Sequence, residues 1–361
     1  MERSSLNLES EFFSRIIQPG NCWDKYLQRF NEYGLDDIYY DYRYVSLYAK
    51  DDTDAQVEAF VYEQNDDVFL LPFIRKPIPD EKGMWDFETA YGYSGPIATT
   101  KNRTFLESAW RELTQVAKKT GIIVGLIRFH PLLSTEQFSI NSFLKIFYEC
   151  DTVWLDCKRN INDILSEYPK KNLRRLRSLE KQGVTVRSSQ DAEALFEFSK
   201  IYIKRMTHLG AGEEYHFGES YFEGIKKLGK DRWKIYLAYT PNNEIMGGCL
   251  LLFSKRFCHY HLSASLQEHL KLAPNDILRH AVIKDMTNSS FEAIHFGGGR
   301  TSESNDSLLL FKLKFSRQTA RFKVGGCIFD EDSYKSICDK WYIKYPEKQN
   351  YFGKFLLKYR Y

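Results

Sequence analysis

A dense run of basic residues lies in the second half of the chain. Residues 158–187 hold nine lysines or arginines and three acids, a local charge of +6 in a chain whose net charge is +3. Leucines recur there every third residue, which predicts an amphipathic helix with a cationic outer surface. Because such side chains can bind phosphate, Asn172, Arg174 and Arg175 are candidate ligands of an anionic substrate. A solvated helix face that only promotes solubility is the alternative.

Three consecutive glycines, Gly297, Gly298 and Gly299, stand directly after an apolar segment and before Arg300. Glycine reaches positive φ angles and lets a backbone approach a ligand closely, so these four residues are candidates for a binding loop. A purely structural turn is the alternative. The run is not a dinucleotide-binding motif, because the glycine that opens the helix of that motif is missing.

His259 and His261 alternate along a predicted strand and share one of its faces, whereas Tyr260 points to the other face. No acid or third histidine stands at a spacing that would complete a metal site. We therefore predict no metal and interpret Tyr260 and His261 as cleft residues that contact substrate. Arg128 and His130 are further candidates, because they end a predicted strand where the clefts of α/β folds collect ligands.

Two loop tyrosines, Tyr91 and Tyr93, belong to the turn-rich run Y-G-Y-S-G-P. They are candidates to stack on a sugar, a base or a peptide. The sequence contains no G-x-S-x-G, H-E-x-x-H or Ser-His-Asp pattern, so hydrolase chemistry has no support.

Two series of helices and strands must position these residues. The first half predicts helical segments within 22–48, a strand pair at 57–62 and 68–74, a helix at 104–119 and a strand at 122–129. The second half predicts strands near 153–156, 184–187, 233–239, 244–253, 257–263 and 293–296, with helices within 161–182, 191–209, 218–229 and 276–286. Both halves place a hairpin before a loop, a helix and another strand. We expect two α/β domains, 1–150 and 151–361, each with the layout of GNAT-type acyltransferases.

The composition excludes several classes of protein. With 361 residues, 43% of them hydrophobic and 27% charged, the chain suits two soluble globular domains rather than a disordered or stapled fold. Acidic residues interrupt the N-terminal sequence M-E-R-S-S-L-N-L-E-S, and no apolar stretch approaches 18 residues, so neither a secretory signal nor an integral membrane segment is expected. Seven scattered cysteines without C-x-x-C spacing predict reduced thiols in the cytoplasm.

Five ordered motifs spread over nearly the whole chain resemble the Fem-type peptidyltransferases, tandem-GNAT proteins related to enzymes that add amino acids to peptidoglycan precursors. They are Y-G-Y-S-G-P with I-R-F-H-P-L, K-N-L-R-R-L-R-S-L-E-K-Q-G-V-T-V, H-Y-H-L-S-A-S with L-A-P-N, H-F-G-G-G-R, and D-S-L-L-L-F-K-L-K-F. The resemblance is to the shorter branch of the family. It adds Asn275 of the L-A-P-N motif to the candidate substrate-binding residues.

The resemblance also implies catalytic residues. A lysine in the last motif lies near the reacting carbonyl in that family, and it matches Lys312, with Phe311 beside it. An ammonium there would stabilise the oxyanion that forms during acyl transfer. The segment predicts a short helix with Asp306 as its N-cap. An exposed helix lysine is the alternative, and a different register would direct Lys314 into the cleft instead.

The identity of the acyl donor stays open on the sequence. The sequence lacks the long helical hairpin arm carried by family members that build pentaglycine-type bridges, which leaves the use of tRNA open. The loop 266–275 contains no glycine, unlike the coenzyme A loop of ordinary GNAT enzymes. We predict no tightly bound cofactor and either acyl-CoA or aminoacyl-tRNA as co-substrate. The predicted enzyme acylates an amine of an anionic or lipid-linked acceptor, such as a cell-wall precursor or a nucleotide-linked amino sugar. A non-enzymatic binder of RNA or an anionic polymer is the competing class.

Overall fold

The computed structural model describes residues 12–49, 52–212 and 215–361. The N-terminal sequence interpreted as lacking a secretory signal lies outside the described residues. The strands are β1 (Phe12–Ile17), β2 (Gln56–Gln64), β3 (Asp67–Pro77), β4 (Trp85–Glu88), β5 (Ile97–Ala98), β6 (Ile122–Arg128), β7 (Lys145–Asp156), β8 (Thr185–Ser189), β9 (Trp233–Tyr239), β10 (Ile245–Phe253), β11 (Phe257–Ser265), β12 (Ala293–Gly298) and β13 (Gln318–Ile328).

The α-helices alternate with these strands along the chain. They are α1 (Asn21–Glu32), α2 (Tyr42–Val45), α3 (Arg103–Lys119), α4 (Ile161–Ser166), α5 (Lys170–Lys181), α6 (Ala192–Leu209), α7 (Glu219–Lys226), α8 (Pro274–Met286), α9 (Ser307–Lys312), α10 (Glu331–Lys344) and α11 (Gln349–Phe352). Contacts divide the chain into two compact units. Unit 1 comprises the described residues within 1–35, 52–147 and 323–361, and unit 2 those within 36–51 and 148–322.

Unit 1 is built on a sheet in which β1, β2, β3, β4, β6 and β13 are neighbours in that order, with β5 beside β3. Neighbouring strands are antiparallel, except for β4 and β6. These two can run parallel because the long connection between them, which contains α3, returns the chain to the end of the sheet from which β4 began. Hydrophobic side chains of α3, including Trp110 and Leu113, are buried. Ile337 and Trp341 of α10 pack against Ile123 and Val124 of β6.

Unit 2 repeats this plan with the strand order β7, β12, β11, β10, β9 and β8. Again one pair is parallel, β11 with β12, and α8 connects the two strands. Residues of α5, α8 and α9, among them Leu176, Leu278 and Leu309, share a buried core with one face of the sheet. The other face meets α6, since a side chain at Gly248 of β10 would collide with Phe198.

The predicted α/β layout is present in both units, but the predicted domain limits of 1–150 and 151–361 differ from the units in two places. Residues 323–361 pack in unit 1, because Val324–Ile328 of β13 pair with β6. Residues 36–51 pack in unit 2. The helical segment expected within 22–48 is interrupted there, because the side chains of Asp37 and Asp41 accept hydrogen bonds from backbone N–H groups two residues later and begin new helical turns.

Candidate functional site

The parallel strands of unit 2 separate after a short paired stretch. β11 and β12 pair at three positions, of which His259 with His295 is the last. Among the described residues, no backbone hydrogen bond joins Tyr260–Ser265 to Phe296–Gly298. The unpaired edges of these two segments form an opening in the sheet, here called the strand opening. Free N–H and C=O groups at such an edge are available to a ligand.

Lys312 lies at the end of β12, beside the strand opening. Its side chain is buried, and its Nζ donates a hydrogen bond to the carbonyl oxygen of Gly298 at 2.6 Å. Burial is the main cause that lowers the pKa of Lys312 to about 7, and the positive charge of Arg279 is the second. Lys314 is exposed, with its Nζ 5.1 Å from the centre of the Phe311 ring. Of the two lysines considered from the sequence, Lys312 is therefore the one that points inward.

The loop before Lys312 is held by Asp306, as the N-cap prediction anticipates. Its carboxylate accepts hydrogen bonds from the N–H groups of Leu308 and Leu309 at 2.9 and 2.8 Å, and from the N–H group of Arg300 at 3.1 Å. Hydrogen bonding to backbone N–H groups outweighs burial and lowers the pKa of Asp306. Asp306 thereby ties the beginning of α9 to the glycine loop and fixes the position of Lys312.

Each of the three glycines has a structural reason. Gly297 has a φ of 75°, at an irregularity in the pairing of β12 with β7. A Cβ at Gly298 would lie 2.6 Å from the sulfur of Cys150, and one at Gly299 would lie 2.7 Å from Asp306 Oδ1. The glycines allow the chain to turn and to pack closely here, while the Gly298 carbonyl receives Lys312. The side chain of Arg300 is exposed.

A recess of about 210 Å³ is bordered by α5, by the start of α8 with the segment before it, and by α9. Its lining residues are Arg175, Leu270, Ala273, Pro274, Asn275, Asp276 and Phe311. Three candidates from the sequence, Arg175, Asn275 and Phe311, therefore come together there. Arg175 donates to the Lys271 carbonyl at 2.9 Å, and the Oδ1 of Asn275 accepts from the Ser265 hydroxyl at 3.0 Å.

The basic helix α5 presents two different faces. Arg174 and Arg175 are exposed, whereas Asn172 lies on the buried face together with Leu176. The Nδ2 atom of Asn172 is buried without a hydrogen-bond partner. The two arginines are thus placed for an anion on the surface, and Asn172 is placed towards the interior of unit 2.

The side chains of Tyr260 and His261 lie on opposite faces of β11, as the alternation along a strand predicts. Tyr260 faces the helix α8, where the Arg279 guanidinium lies 4.5 Å from the centre of its ring. His261 faces the other way, and its Nε2 lies 2.6 Å from the Tyr221 hydroxyl and 3.4 Å from that of Tyr48. Burial and the neighbouring His259 lower the pKa of His261 to about 3, so it is neutral at physiological pH.

The remaining four candidates lie in unit 1. Arg128 donates to Glu88 at 2.9 Å and to the Thr89 carbonyl at 2.6 Å. His130 is buried, and its Nδ1 accepts a hydrogen bond from the N–H group of Leu133 at 3.1 Å. Tyr91 is exposed and Tyr93 half-buried in the loop after β4.

Sequence reasoning misses Arg279, which is 2% exposed in the middle of α8. It lies one turn after Asp276 of the recess, and its guanidinium carbon is 4.8 Å from the centre of the Phe311 ring. The available signal is weak: an arginine stands at helical spacing with Val282 and Ile283, which are apolar and buried. A long basic side chain at such a position is ordinarily interpreted as reaching the surface.

The comparisons with known proteins agree with this geometry. Residues 169–305 match the family model described as an acetyltransferase (GNAT) domain. The solved structure of FemX has the same fold, with a TM-score of 0.69 and 13% identity over 90% of this chain and 99% of that chain. A comparison with curated proteins gave no match.

Two further solved structures share the fold. L-PGS from Bacillus licheniformis matches with a TM-score of 0.53 and 11% identity over 85% of this chain and 92% of that chain. The C-terminal domain of a protein from Agrobacterium fabrum, named as a lysylphosphatidylglycerol synthetase, matches with a TM-score of 0.53 and 12% identity over 89% and 97%. The predicted resemblance to tandem-GNAT, Fem-type proteins is thus confirmed at the level of the fold, and the findings support an acyltransferase.

Within the described ranges, we find no helix that combines the length and the apolar character needed to cross a bilayer.

Proposed function

We propose that this protein transfers an activated acyl or aminoacyl group, from acyl-CoA or aminoacyl-tRNA, onto an amine of an anionic acceptor. The observation that carries the proposal is the position of Lys312, a buried lysine hydrogen-bonded to the Gly298 carbonyl at the edge of the strand opening. A GNAT-type fold with an unpaired strand edge and a buried cation beside it suits acyl transfer, because that reaction develops negative charge on a carbonyl oxygen.

In the proposed reaction the donor carbonyl occupies the strand opening. The acceptor amine attacks the carbonyl carbon, a C–N bond forms, and the carbonyl electron pair moves onto oxygen. The Lys312 ammonium, which in this structure donates a hydrogen bond to the Gly298 carbonyl oxygen, donates to the oxyanion instead. When the intermediate collapses, the C–S bond of a thioester or the C–O bond of an aminoacyl ester breaks, and the amine proton leaves with the leaving group or to solvent. The chain's own contribution is charge and position, with no covalent intermediate.

The acceptor is proposed to be a cell-wall precursor or a nucleotide-linked amino sugar, free or lipid-linked. Arg174 and Arg175 are exposed on α5 and supply positive charge, and Arg175 also lines the recess with Asn275. A phosphate or pyrophosphate of the acceptor fits such arginines. Transfer of an aminoacyl group is favoured by the fold-level likeness to a protein named for lysylphosphatidylglycerol synthesis. Seven free cysteines and both donor classes suit the cytoplasm.

A donor and acceptor screen tests the proposal. Purified protein is incubated with a mixture of aminoacyl-tRNAs or a panel of acyl-CoA thioesters, together with UDP-linked amino sugars and peptidoglycan precursors. Mass spectrometry then follows acylated product. We expect one pair to give product with wild-type protein and with Lys314→Met, and far less with Lys312→Met. Absence of product from every pair with folded protein would contradict the proposal.

A further inference from the structure

Arg279 is a buried cation without a counter-ion. Its side chain is 2% exposed, and it forms no ion pair among the described residues. Its guanidinium carbon lies 4.5 Å from the ring centre of Tyr260, 4.8 Å from that of Phe311 and 5.5 Å from those of Phe296 and Phe315. The Nε and Nη1 atoms are both buried without a hydrogen-bond partner. A charged group that is enclosed and unpaired in this way is costly in a folded protein.

The surrounding residues do not remove that cost. Cation–π contacts attract the charge of the guanidinium but leave its N–H groups without acceptors. The acid one turn earlier on α8, Asp276, makes no hydrogen bond or ion pair with Arg279. Burial raises the pKa of Asp276. Among the nearby positive charges, those of Lys314 and Arg175 lower this pKa more than that of Arg279 does. The guanidinium is therefore ready to receive an anion from outside the chain.

Two more buried donors lie in the same core without partners. The Tyr168 hydroxyl and the Asn172 amide nitrogen have no hydrogen bond, and their residues are 3% and 8% exposed. The Tyr168 ring packs on Phe315, at 5.3 Å between ring centres, and Arg279 lies over the same Phe315. Asn172 lies on the buried face of α5, whose first residue, Lys170, follows Tyr168 by two positions. A guanidinium, a phenol and an amide NH2 together offer donors to an oxyanion.

The position of Arg279 relative to Lys312 restricts which anion fits. Phe311 contacts Arg279 and is the neighbour of Lys312 in the chain, and Arg279 is the charged group that most strongly opposes protonation of Lys312. A group held by Arg279 thus lies close to the carbonyl that Lys312 serves. The phosphates of coenzyme A are separated from its thioester by the whole pantetheine arm, so they are too remote. A carboxylate within the transferred group is near enough.

We propose that Arg279 is a specificity residue that selects donors whose acyl group carries a second carboxylate, such as the half-acid of a dicarboxylic acid or an acidic amino acid. The inference rests on the proposed function and deepens it. Tyr168 and Asn172 are the accompanying donors. Phe311 both lines the recess and lies against the Arg279 guanidinium, so the recess and the guanidinium share this ring.

Equilibrium binding with matched probes tests the proposal without any acceptor. One pair is succinyl-CoA and butyryl-CoA, and the other is 3′-aspartylamido-3′-deoxyadenosine and its asparaginyl counterpart. In at least one pair we expect the carboxylate member to bind wild-type protein about tenfold or more tightly. Arg279→Gln should abolish that preference and leave the affinity for the neutral member unchanged. Arg177→Gln, at an exposed position on α5, is the control that keeps the preference.

Tyr168→Phe is a second variant, which removes only the hydroxyl and is expected to weaken the preference several-fold. Equal affinity within both pairs for wild-type protein would overturn the proposal, as would a preference that survives Arg279→Gln. If free coenzyme A lost tenfold in affinity with Arg279→Gln, the site would hold a phosphate and the acyl assignment would be wrong. Because these readouts need no turnover, a retained preference without transfer would count against the proposed function alone.

Discussion

The two units share one plan but differ where their parallel strands end. In unit 1, the edge of β6 remains occupied beyond the end of β4, because the Thr89 N–H group donates to the Leu126 carbonyl and the Ser94 N–H group donates to the Arg128 carbonyl. Ser94 also bridges to Phe129. In unit 2, pairing stops at His259 and His295, and the strand opening follows. The fold alone therefore does not create a site, since unit 1 fills with its own backbone the place that unit 2 leaves open.

The charged residues differ in the same direction. Glu88 of β4 receives Arg128 at 2.9 Å and Lys76 at 3.6 Å, and buried Asp86 receives Arg360 at 2.6 Å. In unit 2 the buried cations Lys312 and Arg279 have no carboxylate partner in the described residues. The charge of a buried ion pair is already compensated within the fold, whereas an unpaired buried cation is available for a substrate or a transition state. From this comparison we expect the chemistry to take place in unit 2.

The helix that precedes the second strand of the parallel pair, α3 in unit 1 and α8 in unit 2, shows a third difference. Asn102 caps α3, accepting hydrogen bonds from the N–H groups of Thr104 and Phe105. The equivalent helix α8 begins after Ala273, which has a φ of 46° and provides no side-chain cap. The first turn of α8 lines the recess. Unit 1 thus satisfies its own helix N-terminus, while unit 2 leaves that of α8 without a side-chain acceptor.

The largest expected effect comes from removing the cation at the strand opening. Lys312→Met should lower the rate constant for transfer by about 10² to 10³ and leave acceptor affinity nearly unchanged, because the lost interaction forms only in the transition state. Single-turnover kinetics with the donor and acceptor found by screening measure both quantities. Lys314→Met is the matched control and should behave as wild type. Weaker acceptor binding with unchanged turnover in the Lys312 variant would refute the oxyanion role.

The same lysine should make stability depend on pH. Its pKa is about 7 in the folded protein, below its ordinary value of 10.5, so between these pH values the unfolded chain binds a proton that the folded protein has lost. Folding is then favoured as pH rises, by at most about 1.4 kcal/mol per pH unit. We expect urea unfolding from pH 7 to 9 to show wild-type protein gaining stability relative to Lys312→Met. A difference in stability between wild type and Lys312→Met that stays constant over this pH range would show that Lys312 is not buried as a titrating group.

Local patterns predicted much of this molecule. The apolar runs of β2, β3, β9 and β10, each pair separated by a polar turn, identified both hairpins. Asp306 was recognisable as an N-cap because capping depends on residues close in sequence. The return of β13 to pair with β6 was not predictable, since nothing in its V-G-G-C-I segment specifies a partner some 200 residues earlier in the chain. Arg279 was missed for a similar reason: only the tertiary packing of four aromatic rings distinguishes it from a surface arginine.

In unit 1, Arg128 gives a smaller effect of a different kind. Arg128→Gln should lower the free energy of unfolding by about 1–2 kcal/mol, because Glu88 and the Thr89 carbonyl lose a charged donor in a largely buried setting. Arg103→Gln is the control, since its pair with Glu107 is exposed and worth less than about 0.5 kcal/mol. Urea unfolding measures both variants. If Arg128→Gln instead reduced kcat/KM tenfold in folded protein, unit 1 would contribute to substrate binding.

The smallest expected effect concerns the cap of α3. Asn102→Ala should cost about 1 kcal/mol of stability, because the N–H groups of Thr104 and Phe105 lose their acceptor, whereas Asn102→Asp retains an acceptor and should be close to neutral. Neither change should alter turnover at temperatures where the protein is folded, since unit 1 uses this helix N-terminus for its own structure. Urea unfolding and single-turnover rates on the same samples decide the matter. A fall in turnover with Asn102→Ala, together with full retention in Asn102→Asp, would mean that the N-terminus of α3 acts on substrate, and the assignment of the chemistry to unit 2 alone would be wrong.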